Sequence, residues 1–183
     1  MARVLLVGGG CAGLALIREL GAEGHVVRAV TRRPERRAEL EEVGAECWVG
    51  DPDRIGTLRY ALDNVTVLCW FLGAASGDPE AVRAVHGSRL QMMLLRTVDT
   101  TVRGVAYEAA GPVGADALRS GADAVRRAHD THGIPYRLVE TDRTDRTAWV
   151  AAAATAVHGL LGPRRAAILP NPYKPDRFSL KGG

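Results

Sequence analysis

Residues 4–20 read Val4-Leu5-Leu6-Val7-Gly8-Gly9-Gly10-Cys11-Ala12-Gly13-Leu14-Ala15-Leu16-Ile17-Arg18-Glu19-Leu20. A short β-branched and leucine run meets a glycine cluster, and a stretch of helical period follows at once. Gly8-x-Gly10-x-x-Gly13 fits G-x-G-x-x-G, a pattern that carries weight only in this context, after a strand and opening a helix. Each glycine has a mechanical reason there. Gly8 permits the tight turn, Gly10 lets backbone approach a pyrophosphate, and Gly13 lets helix and strand pack closely. The helix N-terminus then offers unpaired N–H groups to the phosphates, through Cys11 and Ala12 as well as the glycines.

Five more apolar runs follow outward from that unit: Val26–Val30, Glu46–Val49, Val65–Phe71, Arg103–Glu108 and Tyr136–Val139. Between the runs lie segments of helical period at 12–24, 35–43, 54–62, 79–98, 115–132 and 145–161. Continuous apolar strands alternating with helices predict an α/β fold: a doubly wound Rossmann-type parallel sheet of about six strands, covered by helices on both faces. Local signals agree with these boundaries. Pro34 suits a first helical turn, Asp78-Pro79 an N-cap followed by N1, Thr144 or Asp145 another N-cap, and Gly44 and Gly133 helix ends. The domain is expected over 1–162, and the proline-rich 163–183 as an extended arm or tail.

Composition excludes several classes. The 183 residues are 46% hydrophobic and 25% charged, ordinary globular usage. The net charge is +3, but aromatics make up only 5%, too few for a stacking surface, so a nucleic-acid partner is not expected. No stretch approaches the apolar length of a membrane span. Cys11, Cys47 and Cys69 are odd in number and scattered, which fits a reducing cytoplasm better than a disulfide framework. Cys11, at a helix N-terminus, is either a small loop residue or a reactive thiol.

The end of the second strand bears on which dinucleotide is held. An acidic residue there takes the ribose 2′-hydroxyl of NAD, whereas arginine accommodates the 2′-phosphate of NADP. The chain reads Thr31-Arg32-Arg33, with no carboxylate and two guanidiniums able to pair with phosphate. NADP is therefore expected over NAD.

Together, Gly8-x-Gly10-x-x-Gly13, Thr31-Arg32-Arg33-Pro34 and Gly50-Asp51 resemble the atypical short-chain dehydrogenase/reductase group, with its NmrA-like regulators and flavin-reductase-like enzymes, over residues 1–140. The resemblance implies that Asp51, beside Gly50, lies near the adenine. It also implies that the turn Leu72-Gly73-Ala74 lies near the nicotinamide-side ribose. The family's catalytic Tyr-x-x-x-Lys pair is missing, because the two lysines are Lys174 and Lys181, and the serine expected at the end of the fifth strand is replaced in Tyr107-Glu108-Ala109.

Tyr107 is then the first catalytic candidate, with Glu108 beside it at a carboxyl strand end. Packing against a helix is its alternative. His86, Ser88 and Arg89 are candidates for a substrate anion, as is the acidic cluster Glu140, Asp142 and Asp145 for a pocket wall, and each also suits a solvated face. His129 and His132 share a helical face but lack a third ligand, so no metal is expected. Three functions stay open: an NADP(H)-dependent reductase of a small or flavin- or quinone-like acceptor, a non-catalytic NADP(H)-sensing module, and a nucleotide-sugar epimerase-like enzyme. The apolar stretch Gln91-Met92-Met93-Leu94-Leu95 suits either the core or a homodimer face.

Overall fold

A computed structural model describes residues 1–162; the expected arm at 163–183 lies outside the described residues. Six strands, β1 (Arg3–Gly8), β2 (Val26–Thr31), β3 (Glu46–Val49), β4 (Val67–Phe71), β5 (Gly104–Glu108) and β6 (Tyr136–Val139), form one parallel sheet in the order β3-β2-β1-β4-β5-β6. The order reverses between β1 and β4, and that switch point opens a crevice at the carboxyl edge.

Alternation along the strands builds two cores. Val4 and Leu6 of β1 face one side, packed with Leu16 and Leu20 of α1 (Gly10–Ala22) and Trp149 and Val157 of α6 (Arg146–Leu161). Leu5 and Val7 face the other, among residues of α3 (Pro79–His86), α4 (Ser88–Thr97) and α5 (Ala115–His132). Every residue of β4 and β5 is buried, as central parallel strands require.

Helix ends follow the sequence signals. Asp78 Oδ2 accepts from Ala81 N at 2.9 Å, Asp145 Oδ1 accepts from Ala148 N at 2.9 Å, and Gly133 ends α5 at φ +67°. Asp145 rather than Thr144 is the cap of α6.

Four expected helices differ. The first begins at Gly10 rather than 12, so the glycine loop is itself the helix start. Residues 54–62 form two short 3-10 turns, Ile55–Leu58 and Tyr60–Leu62, because the Trp48 indole takes the Thr57 carbonyl at 3.0 Å and the Thr57 hydroxyl takes Asp51 N at 2.8 Å. The long helix at 79–98 breaks at Gly87 into α3 and α4, and the Val85 carbonyl is bonded by the buried Trp70 Nε1 at 2.9 Å. Neither side-chain capture shows in apolar periodicity. At 35–43 a 3-10 turn (Pro34–Arg36) leads into α2 (Arg37–Glu42).

Candidate functional site

At the carboxyl end of β1 the chain turns through three successive glycines with positive φ: Gly8 at +91°, Gly9 at +91° and Gly10 at +52°. Side chains are disfavoured in this region, and a Cβ on Gly8 would also run into the Phe71 carbonyl. Gly9 N donates to Phe71 O at 2.8 Å and Gly13 N to Gly9 O at 2.8 Å, which pins the loop to β4 and closes the first helical turn. The early N–H groups of α1, at Gly10, Cys11 and Ala12, have no intrahelical acceptor by the geometry of a helix start. They form an anion-binding mouth.

A cleft of about 620 Å³ opens above this loop, bounded by Val7, Gly8, Gly10, Val30, Thr31, Arg32, Arg33, Arg36, Pro52, Leu72 and Ser76. Its size is that of a cofactor site. Thr31 Oγ1 accepts from Arg33 N at 3.1 Å, folding the β2 end so that both exposed arginines stand at the rim. Among the described residues, no carboxylate borders this cleft. The positive-φ loop and the open helix end suit the phosphates of a dinucleotide, and the arginines add positive charge at the rim.

Of the residues expected from sequence, Gly8, Gly10, Thr31, Arg32, Arg33 and Leu72 border the cleft. Cys11 is exposed at its mouth, whereas Ala12 and Gly13 are buried beneath it. A Cβ on Gly13 would meet its neighbours at 3.5 Å, ordinary contact, so the close approach is made at Gly9 instead, where a Cβ would stand 3.0 Å from Gly13 Cα. Asp51 borders an adjoining hollow of about 290 Å³ with Arg32, Pro52 and Leu72, while its Oδ1 accepts from Asp53 N at 3.0 Å. Gly50 is buried behind it, Gly73 is buried and Ala74 is an exposed turn residue.

Arg36 is the cleft residue that the sequence reading missed. The 3-10 turn after Pro34 swings it back to the cleft, where its Nε donates to Glu39 Oε2 at 2.7 Å. The pair raises the Arg36 pKa and holds the Glu39 carboxyl below the usual range. Run length was the available signal, since Arg32-Arg33-Pro34-Glu35-Arg36 places a third guanidinium one turn on.

Of the two positions open to Tyr107 from sequence, the structure shows the one packed against a helix. Tyr107 is fully buried, with its hydroxyl 2.7 Å from His86 Nδ1 and 3.2 Å from the Leu118 carbonyl. It points into the α5 side of the sheet, and its ring packs on Gly121, where a Cβ would meet Tyr107 Cε2 at 2.8 Å. Burial pushes its pKa well up, with the Glu108 charge adding to the shift. This placement serves packing, and Tyr107 is not among the residues that line the cleft. His86 is likewise buried, its Nε2 at 3.1 Å from Leu72 O, so it does not present an imidazole to a substrate.

Glu108, fully buried at the end of β5, accepts four hydrogen bonds. They come from Gly73 N (2.6 Å), Trp149 Nε1 (2.8 Å), and Arg143 Nε (2.5 Å) and Nη2 (2.7 Å). Four donors fill the lone pairs of one carboxylate. The remaining candidates stand apart from the cleft. Ser88 is exposed, Arg89 pairs with Asp53 at 3.1 Å, Glu140 borders a separate hollow beside α5, and Asp142 accepts from Thr144 N at 2.8 Å, which holds its pKa down. His129 Nδ1 lies 3.1 Å from the Ile134 carbonyl. The histidine cluster that does form is His25, His158 and Glu23, at the amino-terminal edge of the sheet and remote from the cleft.

Residues 8–131 match the model of the NAD(P)H-binding family, and the chain belongs to that family. Solved structures with the same fold include a putative NAD-dependent epimerase/dehydratase from Bacillus halodurans, at 20% identity and TM-score 0.60, covering 78% of this chain and 71% of that one. A triphenylmethane reductase from Citrobacter sp. complexed with NADP(H) matches at 20% identity and TM-score 0.58, over 75% of this chain and 49% of its own. A UDP-glucuronic acid 4-epimerase from Bacillus cereus in complex with NAD matches at 14% identity and TM-score 0.63, over 76% of this chain and 56% of its own. The chain thus spans about half the length of several of its structural relatives. No match was found among the curated proteins. Among the described residues, no helix is long and apolar enough to cross a membrane.

Proposed function

We propose that this chain is an NADP(H)-binding reductase of the atypical short-chain dehydrogenase/reductase kind, acting on a small or flavin- or quinone-like acceptor. The observation that carries it is the rim of Arg32, Arg33 and Arg36 at the end of β2, in a cleft that no carboxylate borders among the described residues. Guanidiniums meet a phosphate through charge-assisted, bidentate bonds, and a carboxylate here would repel it.

When bound, NADPH would supply the hydride of a two-electron reduction, with the accompanying proton coming from solvent. The chain's own work is positional. The glycine loop and α1 N-terminus would hold the diphosphate, Arg32, Arg33 and Arg36 would hold the 2′-phosphate, Asp51 would border the adenine side, and Leu72, Gly73 and Ala74 would flank the ribose on the nicotinamide side. Tyr107 is given no proton-transfer role in this mechanism.

A second reading is supported by the internal commitment of Tyr107, His86 and Glu108, which leaves the β5 end without an unpaired acid or base among the described residues. On that reading the chain is an NADP(H)-sensing module whose occupancy shifts a partner equilibrium. Exposed Met92, Leu95 and Val98 on α4 and just beyond it, beside inward Met93 and Leu94, support a homodimer as that partner state. A cytoplasmic setting suits an NADP(H) site and three cysteines that form no disulfide.

One experiment separates the two. NADPH oxidation is followed with a panel of flavins, quinones and small carbonyls, alongside direct titration of NADPH and NADH. Turnover with any acceptor supports the reductase; tight NADPH binding with no turnover supports the sensor. Failure to bind either nucleotide overturns both.

A further inference from the structure

The loop between β6 and α6 lies over the glycine loop, and its Arg143 is held in an unusual way for a surface loop residue. Its Nε and Nη2 donate to the buried Glu108, Nη2 also donates to Phe71 O at 2.9 Å, and the guanidinium lies 4.7 Å from the centroid of Trp149. The side chain is 15% exposed. Nη1 has no hydrogen-bond partner among the described residues, and it stands 3.4 Å from where a Cβ on Gly10 would be. Arg146, from the first turn of α6, reaches the same loop, with Nη2 donating to Cys11 O at 3.1 Å.

We infer that Arg143 is a preset diphosphate-binding cation, whose Nη1 edge takes a phosphate oxygen of the dinucleotide above the glycine loop. This rests on the NADP(H) reading and extends it to a residue outside the glycine motif. The guanidinium has one edge locked on a carboxylate and the opposite edge turned to the absent side chain of Gly10. The locked edge fixes the other, so little rotamer freedom is lost when an anion arrives, and preorganisation of this kind favours binding. Phe71 O ties the two parts together, because it accepts both from Gly9 N of the glycine loop and from Arg143 Nη2. Glu108 is thereby a positioning residue. It neutralises Arg143 when the cleft is empty, so the cation is kept in a buried setting without a counterion from solvent.

The test compares two ligands that share the adenosine 2′-phosphate but differ in the diphosphate: NADPH and adenosine 2′-monophosphate. Each is titrated into the wild-type chain, Arg143→Lys and the paired neutral variant Arg143→Gln/Glu108→Gln, with thermal melting to confirm folding. The paired variant leaves no unpaired buried charge. The expected result is a loss of about tenfold or more in NADPH affinity for the paired variant, with a smaller loss for Arg143→Lys, because charge-assisted bonds to phosphate are the strong ones. Affinity for adenosine 2′-monophosphate should stay within about twofold of wild type. Equal losses for both ligands, or no loss for NADPH in a folded variant, overturn the assignment. A wild-type chain that binds adenosine 2′-monophosphate but not NADPH also overturns it, while leaving the arginine rim standing; one that binds neither overturns the underlying NADP(H) reading.

Discussion

The Tyr107 hydroxyl lies 2.7 Å from Nδ1 of His86, edge-on to its ring and inside the core. The proton inventory of this pair is set by its surroundings. Leu72 O and Leu118 O only accept, so with His86 Nε2 carrying the imidazole proton toward Leu72 O, the single Tyr107 hydroxyl proton is shared between His86 Nδ1 at 2.7 Å and Leu118 O at 3.2 Å. A residue at the end of β5 that sequence marks as a proton donor to substrate is thus spent on the fold.

Tyr107→Phe follows directly. It removes the only donor to a buried nitrogen, at a cost of about 1–3 kcal/mol. For a domain of this size that lowers Tm by roughly 2–4 °C per kcal/mol. Nucleotide affinity and any NADPH turnover should stay within about twofold of wild type, since nothing in the cleft is lost. A variant that melts like wild type but no longer turns over would restore Tyr107 as a catalytic residue.

How far the sequence reached explains why Tyr107 was singled out. The strand–helix alternation, the glycine loop and the caps at Asp78 and Asp145 are local, so they were legible residue by residue. Arg36 and the break at Gly87 depend on partners that sequence does not align. Glu39 is close in the chain, but Trp70, which bonds Val85, comes from a strand across a crossover. Glu108 and Arg143 are separated by 35 residues and meet only because β5 and β6 are neighbours with the same direction. The side of the sheet toward which Tyr107 points was equally hidden, because β5 is buried on both faces and carries no polar alternation to mark them.

The same network makes stability depend on pH. Burial holds the His86 pKa below its ordinary 6.5, against the opposing pull of the Leu72 carbonyl and the Glu108 charge. The unfolded chain therefore binds a proton that the folded chain resists between the lowered value and 6.5. Stability from this residue is full above pH 6.5 and is lost as pH falls below it. Glu39 and Glu46, both lowered from 4.5, contribute only at more acid pH, with loss beginning near 4.5. Denaturant unfolding at pH 7.5 and pH 5 should show a decline in the wild type that His86→Gln, itself less stable at pH 7.5, reduces. An identical decline in both proteins would mean that His86 does not carry it.

Two glycines of the loop should fail in different ways. Gly8→Ala places a side chain at φ +91° against the Phe71 carbonyl, so both strain and collision act on the fold. Gly10→Ala sits at φ +52°, near the left-handed well, with Arg143 Nη1 at 3.4 Å as its nearest neighbour. Its backbone cost is about 1–2 kcal/mol, and its methyl enters the space offered to the diphosphate. Thermal melting combined with NADPH titration should find Gly8→Ala losing most of its stability, and Gly10→Ala folded but weakened in binding. Wild-type affinity in folded Gly10→Ala would remove the glycine loop from the site.

The arginine rim yields the sharpest contrast between nucleotides. Arg32 and Arg33 are exposed and reach the cleft freely, whereas Arg36 arrives already paired with Glu39. A 2′-phosphate must therefore share Arg36 with a carboxylate, or draw it away. Arg32→Ala and Arg33→Ala should each cost NADPH about 1.5–3 kcal/mol, the worth of hydrogen bonds to a charged group, which is about 10- to 150-fold in Kd, and leave NADH nearly unchanged. Arg36→Ala should cost less, because part of its interaction is already spent on Glu39. Glu39→Gln acts in the opposite direction: it releases Arg36 and removes a negative charge near the phosphate, so NADPH should bind more tightly while NADH does not. Raising the salt concentration should shrink all of these differences together, since exposed charges are screened over about 10 Å at 0.1 M. If the three alanine variants keep the wild-type ratio of NADPH to NADH affinity, the 2′-phosphate is not recognised at the end of β2, and the preference for NADP falls with it.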